Sequence, residues 1–185
     1  MSEYRFTDGN LIVLYAVHKG RSSGSLPEYV QERVKVGLET HDMVMRSRPD
    51  RHKTMVMIVG EPGPAEKVKT ALVQGGVQEK IIAIDSDSRN IEQTVDRILG
   101  MIKSKPNPPF IYFIGSVWLH EVFNSAALSK LKGYRSQFYG ALDHRPVAEV
   151  EEEKALDVPR KGMEYYKQRA KNKAVDVLLN VIFPD

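Results

Sequence analysis

Residues Pro108 to His120 read PPFIYFIGSVWLH, and this stretch decides the fold. Phe110 to Ile114 is a run of branched and aromatic apolar residues, which is typical of a strand buried on both faces. We predict that Gly115-Ser116 forms a turn and that a helix follows from Val117 to about Leu131. The stretch therefore predicts a strand, a turn and a helix of an open α/β sheet, with the turn at the edge where such sheets bind ligands.

The same unit repeats along the chain. The other predicted strands are Asn10–Val17, Thr54–Val59, Lys80–Ile84 and, with a weaker pattern, Ser136–Leu142. Amphipathic helical patterns alternate with these strands, and this alternation predicts a parallel sheet with helices on both faces. The predicted fold class is a single three-layer αβα, Rossmann-like domain on a mainly parallel five-stranded sheet, with a long C-terminal helix at about Pro159–Ile182.

Local signals set the expected helix boundaries. Ser25 is expected to cap the first helix, and Asp87 or Ser88 the third. The acidic run Glu149–Glu153 is expected to be the solvated start of a helix. The first helix is expected to bury one stripe at helical spacing, made of Val30, Val34, Leu38, His41 and Met45.

The composition excludes several classes of function. The chain has no cysteine, which rules out disulfides and thiolate chemistry and fits a reducing compartment. No apolar run is long enough to span a bilayer, and the N-terminus lacks the pattern of a secretory signal. The net charge of +3 is a weak signal for nucleic acid, and the basic stretch Arg160–Lys173 is better explained as a solvated helix face. We expect a soluble, cytoplasmic protein with neither membrane nor nucleic acid as a partner.

Polar residues follow each predicted strand. In a parallel sheet the carboxyl ends of all strands share one edge, so these residues should meet there. We predict a ligand pocket at this edge, although any surface loop is polar and the same residues could simply be solvated. The candidate ligand-binding residues drawn from these loops are Lys19, Arg21, Ser22, Glu61, Asp85, Ser88, Arg89, Asn90, Gly115, Ser116 and His120. Asp143, His144 and Arg145 follow the fifth strand at the same edge.

The loop Gly20–Ser25, GRSSGS, has two interpretations. Its small residues could let backbone N–H groups approach a phosphate, with Lys19 and Arg21 adding charge. A flexible serine-rich loop explains the same residues equally well. The chain contains neither GxxxxGK[ST] nor GxGxxG, so we do not predict an ATP-hydrolysing loop or a standard dinucleotide site.

No residue is assigned a catalytic role. Ser116 lacks the second glycine of a GxSxG elbow, and the histidines lack the spacing of a metal site, so we predict neither a serine nucleophile nor a metal centre. If the protein catalyses a reaction, Glu61, Asp85 and His120 are the candidates for proton transfer.

Several segments together resemble a known family. They are the helix segment ERVKVGLE with Arg33, the strand MVMIVG, a helix ending in GGV and the segment DSDSRNIEQTVDRI. From about Leu11 to Leu142 the chain resembles the bacterial SanA, YdcF and ElyC proteins, which share a domain of unknown function. Ser88, Arg89 and Asn90 agree with the family's Ser-Arg-Asn-Thr-x-Glu-Asn motif, and Ser116 agrees with its Thr-Ser-x-x-His turn. Residues differ from the two motifs at Ile91, Gln93, Thr94 and Leu119.

The resemblance implies a Rossmann-like fold and a polar pocket at the strand ends that includes Arg33. It also implies a nucleotide-like ligand such as S-adenosylmethionine. Because the motif's acid and histidine positions are changed, it implies a divergent, ligand-binding relative rather than an enzyme with the same chemistry.

Two functions remain open. The first is binding of a small nucleotide-like or phosphate-bearing molecule at the carboxyl ends of the strands. The alternative is a non-catalytic, oligomeric interaction or scaffold protein that uses the C-terminal helix as a surface for a homodimer or for another partner. The observation behind the alternative is an unbroken apolar stripe from Met163 to Val181.

Overall fold

The structure, a computed structural model, describes residues 9–16, 24–48, 50–103, 107–127 and 129–157. Within these ranges it contains five strands and five α-helices. The strands are β1 (Asn10–Tyr15), β2 (Thr54–Val59), β3 (Ile82–Asp85), β4 (Phe110–Ser116) and β5 (Ser136–Ala141). The helices are α1 (Glu28–Ser47), α2 (Pro62–Gln74), α3 (Ile91–Ile102), α4 (Leu119–Ala126) and α5 (Val147–Asp157).

The five strands form one sheet in the order β3-β2-β1-β4-β5, and every neighbouring pair is parallel. The predicted parallel five-stranded sheet of an α/β, Rossmann-like fold is therefore confirmed. The chain moves outward from β1 to β3 and then crosses back to β4 on the other side of β1. The junction of β1 and β4 is thus the point where strand order reverses, and open α/β sheets bind ligands beside such a point.

Helices cover both faces of the sheet. Leu11 and Val13 of β1 pack in a cluster with α3 and α4, whereas Ile12 and Leu14 pack in a second cluster with α1 and α2. Alternate side chains of one strand thus enter different layers, which is why β1 reads as a continuous apolar run. Within the described ranges, every helix is too short or too polar to span a lipid bilayer.

The predicted turn at Gly115-Ser116 is wrong, because both residues belong to β4 and pair with Gly140 and Ala141 of β5. A Cβ on Gly115 would lie 2.8 Å from Leu119 Cδ1, so glycine lets α4 pack directly against the strand. Ser116 points to the opposite face, toward α1.

Two predicted helix caps are also wrong. Pro27, not Ser25, precedes α1, and it has no side chain that can accept a hydrogen bond. Asn90 caps α3: its Oδ1 accepts from the backbone N–H of Gln93 at 2.9 Å, and Gln93 Oε1 accepts from the N–H of Arg89 at 2.8 Å. This reciprocal pair satisfies two N–H groups at once, and neither Asp87 nor Ser88 is the cap.

The buried stripe of α1 differs from the predicted one. Val30 and Val34 are buried as expected, but Leu38 and His41 are half-buried and Met45 is exposed. The stripe continues instead through Arg33, Gly37 and Thr40, which are small or polar, and ends at the apolar Val44. A Cβ on Gly37 would lie 2.7 Å from Leu14 Cδ1, so the glycine sets how closely α1 approaches β1.

Some predicted boundaries shift or cannot be compared. The first residues of the third predicted strand lie in a 3-10 turn at Glu79–Ile81, and α4 ends at Ala126 rather than near Leu131. The predicted helix at 159–182 lies outside the described residues, as do Lys19, Arg21 and Ser22.

Candidate functional site

A buried arginine joins β1 and β4 at the point where strand order reverses. Arg33 of α1 has no exposed surface. Its Nη1 donates to the carbonyl oxygen of Tyr15 at 3.1 Å, and its Nε and Nη2 donate to Ser116 Oγ at 3.0 and 2.8 Å. The guanidinium therefore ties the carboxyl end of β1 to that of β4.

Ser116 links Arg33 to Asp143, which follows β5. Ser116 Oγ donates to Asp143 Oδ2 at 2.7 Å, and Trp118 Nε1 donates to the same oxygen at 3.1 Å. Arg145 holds the carboxylate in two places, with Nε 2.8 Å from Oδ1 and Nη2 2.6 Å from Oδ2. Two parallel contacts of this kind are the strong form of an arginine–carboxylate pair.

These partners set the charge states of the pair. Burial alone would raise the pKa of Asp143, but the hydrogen bonds from Arg145, Ser116 and Trp118 and the charge of Arg145 hold that pKa well below its usual range. Burial alone would likewise lower the pKa of Arg145, and the hydrogen bonds and charges of Asp143 and Glu153 raise it further above its usual value. Both groups are therefore charged at neutral pH.

Glu153 of α5 closes the set. Its Oε1 lies 3.2 Å from Arg33 Nη2 and its Oε2 lies 2.6 Å from Arg145 Nη1, with the carboxylate side chain 3% exposed. We call the five side chains Arg33, Ser116, Asp143, Arg145 and Glu153 the switch-point network. Two guanidiniums face two carboxylates, and this balance is what allows four charges to be buried together.

The expectation that the acidic run is solvated is wrong for Glu153. Glu149 and Glu151 are exposed, but Glu153 is 2% exposed. The sequence contained a signal that Glu153 is buried. Val150 is the apolar residue of the run, and Glu153 lies three positions later on the same side of the helix.

Tyr29 of α1 borders the network. The Arg145 guanidinium lies 3.5 Å above the centre of its ring and the Arg33 guanidinium 5.1 Å from it. Burial and, next, the nearby charge of Glu153 raise the pKa of the Tyr29 hydroxyl. A hollow of about 260 Å³ opens beside this stack, and three glutamates are among the residues that line it: Pro27, Glu28, Tyr29, Glu32, Leu142, His144, Arg145 and Glu149.

At the end of β3, two predicted residues hold their own loop. Asp85 is 2% exposed. Its Oδ2 accepts from Ser88 Oγ at 2.6 Å, and its Oδ1 accepts from the backbone N–H groups of Asp87 and Ser88 at 3.1 and 3.3 Å. Arg97 Nε lies 3.3 Å from the same Oδ1. Asp85 and Ser88 therefore shape the loop rather than face solvent.

Two other predicted residues do face solvent at this edge. Arg89 Nη1 lies 3.7 Å from Glu61 Oε1, and the two side chains are 63% and 66% exposed. A pair this exposed contributes little to stability, so both groups can exchange their contact for one with a ligand.

His120 is not brought to the network. It lies on α4, where its ring stacks on Phe138 with the ring centres 5.3 Å apart. Phe138 packs in the cluster of α3 and α4, on the opposite face of the sheet from α1.

The structure thus groups the predicted residues in pairs: Arg33 with Ser116, Asp85 with Ser88, and Glu61 with Arg89. The predicted site residues did not include Tyr29, Asp143, Arg145 or Glu153. Asp143 and Arg145 were in the right place by sequence, directly after a strand, and their two-residue spacing is what allows the side chains to meet.

Comparison of the chain with protein-family models, with curated proteins and with solved structures found no match.

Proposed function

We propose that this protein binds a small nucleotide-like or phosphate-bearing molecule at the carboxyl edge of its sheet. The observation that carries the proposal is that Arg33 lies at the strand-order reversal between β1 and β4, and that Arg145 and a hollow lie next to it, between the start of α1 and the loop after β5. This position in an open parallel sheet is where ligands bind as a rule. We also propose that the chain is related to the SanA, YdcF and ElyC proteins and that it is located in the cytoplasm.

The chemistry of the edge supports a ligand with both phosphate and hydroxyl groups. Guanidinium groups match phosphate oxygens, and carboxylates such as Glu28 and Glu149 accept hydrogen bonds from sugar hydroxyls. Ligand pockets commonly measure roughly 300–1,000 Å³. The hollow of about 260 Å³ is smaller, so it would hold one part of such a ligand.

The spacing of the strands supports an extended ligand. Arg89 follows β3, which lies two strands away from β1. Neighbouring strands are about 4.8 Å apart, so a ligand that contacts Arg89 and the end of β1 must span about 10 Å, and one that also reaches the hollow beside Arg145 must span roughly 19 Å. A nucleotide covers the first distance, whereas inorganic phosphate does not.

A thermal-shift panel tests the proposal on the full chain with nucleotides, S-adenosylmethionine, sugar phosphates and divalent metal ions. A ligand at 100 times its dissociation constant adds about 2.7 kcal/mol, which raises the melting temperature by several degrees. Arg89→Ala should weaken the shift. Arg46→Ala is the matched control, because Arg46 is 80% exposed near the far end of α1.

Two results would count against the proposal. A panel in which no compound raises the melting temperature would contradict ligand binding at this edge. A ligand that stabilises the Arg89→Ala protein as much as the unchanged protein would remove Arg89 from the site.

A homodimer through the C-terminal segment is the second candidate. The observation in its favour is that the described residues cover the α1 side of edge strand β5 incompletely, with Gln137 exposed and Tyr139 half-buried. An apolar helix face such as the one predicted at Met163–Val181 would fit such a surface. Analytical ultracentrifugation of the full chain should then show a mass that rises with concentration, and a monomer at all concentrations contradicts this candidate.

A further inference from the structure

We propose that Glu153 is an internal occupant of an anion site formed by Arg33 and Arg145, and that an external phosphate or carboxylate group binds there by displacing Glu153 together with α5. This inference rests on the proposed function: it names the ligand group that is recognised and the element that moves.

Of the α5 side chains that the structure describes, Glu153 makes the charged contacts that attach the helix to the domain. Among the α5 side chains that the structure describes, Val150 at 9% and Glu153 at 2% exposure are the buried ones. Val147 at the start of the helix is 76% exposed. A surface helix ordinarily buries three or four apolar residues in every two turns. Contacts between Glu153 and the two arginines therefore supply much of the attachment, and a competing anion can replace them.

The two arginines are held in place without Glu153. Arg33 is fixed by the Tyr15 carbonyl oxygen and by Ser116 Oγ. Arg145 is fixed by Asp143 on one side and by the ring of Tyr29 on the other. Removal of Glu153 thus leaves two guanidiniums already oriented for an anion, which lowers the entropic cost of binding.

The charge of the site also changes when Glu153 leaves. With Glu153 present the network is neutral, because Arg33 and Arg145 balance Asp143 and Glu153. Without it, the described members of the network that carry charge are two arginines and one carboxylate, which together carry one net positive charge. A buried uncompensated charge is costly, so an anion that restores neutrality is bound favourably.

The contact between Glu153 and Arg145 is not an optimal hydrogen bond. Glu153 Oε2 lies 2.6 Å from Arg145 Nη1, yet among the described residues it has no hydrogen-bond donor in good alignment. The carboxylate is constrained by the helix that carries it. A free phosphate group, with more acceptor oxygens and no such constraint, can align with both guanidiniums.

The chain contains its own reporter of this exchange. Trp118 is the single tryptophan, it is half-buried, and its Nε1 donates to Asp143 Oδ2 at 3.1 Å. Its fluorescence should therefore respond when the network rearranges.

The test is a titration of the full chain with inorganic phosphate at constant ionic strength, followed by Trp118 fluorescence. Glu153→Gln removes the charge and keeps the shape of the side chain, so it should respond at phosphate concentrations at least about tenfold lower than the unchanged protein. Glu151→Gln is the matched control, because Glu151 is exposed on the same helix and pairs with Lys154; it should behave as the unchanged protein does.

A second measurement keeps the proposal testable if Glu153→Gln does not fold. Saturating phosphate should speed hydrogen exchange of the α5 amides in the unchanged protein, while the amides of β1 stay protected. Equal phosphate responses of Glu153→Gln and the unchanged protein, or an α5 exchange rate that phosphate leaves unaltered, would overturn the inference.

The outcomes separate this inference from the proposed function. If Glu153→Gln gains no phosphate affinity but a nucleotide still stabilises the protein in an Arg89-dependent way, the internal occupant is refuted and the proposed function stands. If Glu153→Gln gains affinity while no compound of the panel stabilises the unchanged protein, the anion site stands and the proposed function fails.

Discussion

Replacing Arg33 by methionine is the sharpest test of the switch-point network. Methionine keeps a long unbranched side chain but removes every donor, so Ser116 Oγ loses donors at 3.0 and 2.8 Å and Glu153 loses its partner at 3.2 Å. Each buried polar group left without a partner costs about 1–3 kcal/mol. Loss of one member of a buried ion pair typically costs about 3–5 kcal/mol in total, and we expect Arg33→Met to fall in this range.

Urea unfolding at pH 7, followed by circular dichroism, measures this loss. For a domain of this size, 1 kcal/mol corresponds to about 2–4 °C, so the melting temperature should fall by about 6–20 °C. Lys35→Met is the matched control on the same helix: its side chain is 65% exposed and 4.0 Å from Glu32. It should change stability by no more than about 0.5 kcal/mol.

A double-mutant cycle separates the ion pair from packing. The Arg33→Met/Glu153→Met protein lacks both partners, so it should lose less than the sum of the two single variants, by about 0.5–3 kcal/mol. Stability within about 1 kcal/mol of the unchanged protein for Arg33→Met would falsify the reasoning. Strictly additive single losses would show that Arg33 and Glu153 do not act as a pair.

Three further predictions concern the cap, the acid response and the glycines. Asn90→Ala should cost about 0.5–2 kcal/mol in thermal unfolding, whereas Asp87→Ala, at the position that is not the cap, should cost less. Because the folded pKa of Asp143 is lowered, its contribution is complete above the unfolded pKa of about 3.9 and is lost as the pH falls below it. Asp143→Asn should therefore flatten the loss of stability between about pH 5 and pH 2, as measured by urea unfolding. Gly100→Ala, in an exposed helical position with open space around the new Cβ, should raise stability by about 0.5–1 kcal/mol, while Gly76→Ala, at φ +97°, should lower it by about 1 kcal/mol.

The fold was predictable because its signals are local. A strand covered on both faces is apolar at nearly every position, and Thr54–Val59 was predicted with the bounds that the structure has. Alternation of strands with helices then leaves few parallel topologies. Each of these arguments uses neighbouring residues only, so none depends on knowing the partner of a side chain.

The network could not be predicted in the same way, because its contacts are remote in sequence. Arg33 and Ser116 are 83 positions apart, and Arg33 and Glu153 are 120 positions apart. A charged residue normally reads as solvent-exposed, and it is buried only when a partner from elsewhere compensates it. Arg33 was named through a family resemblance rather than through the helical stripe in which it lies.

The boundary error at Ser116 has a consequence for function. A serine in a turn faces solvent and a ligand, whereas Ser116 as the last residue of β4 has its side chain fixed to the α1 face, with no exposed surface. Its hydroxyl accepts a hydrogen bond from Arg33 and donates one to Asp143. It therefore links these two side chains and is not available to contact a ligand directly. Sequence placed the residue at the correct edge of the sheet but could not give its orientation.

Because Glu153 makes the network neutral, it determines how strongly the carboxyl edge of the sheet can bind a phosphate. If Glu153 must leave before a phosphate enters, the apparent dissociation constant equals the intrinsic one divided by the fraction of molecules in which α5 is displaced. With α5 displaced in about one molecule in a hundred, the unchanged protein would bind about 100-fold more weakly than the open form. Because Glu153→Gln weakens the attachment without abolishing the packing of Val150, the ratio of the two measured affinities gives a lower limit on that factor. Weak binding by the unchanged protein alone therefore argues against the site only if Glu153→Gln binds equally weakly.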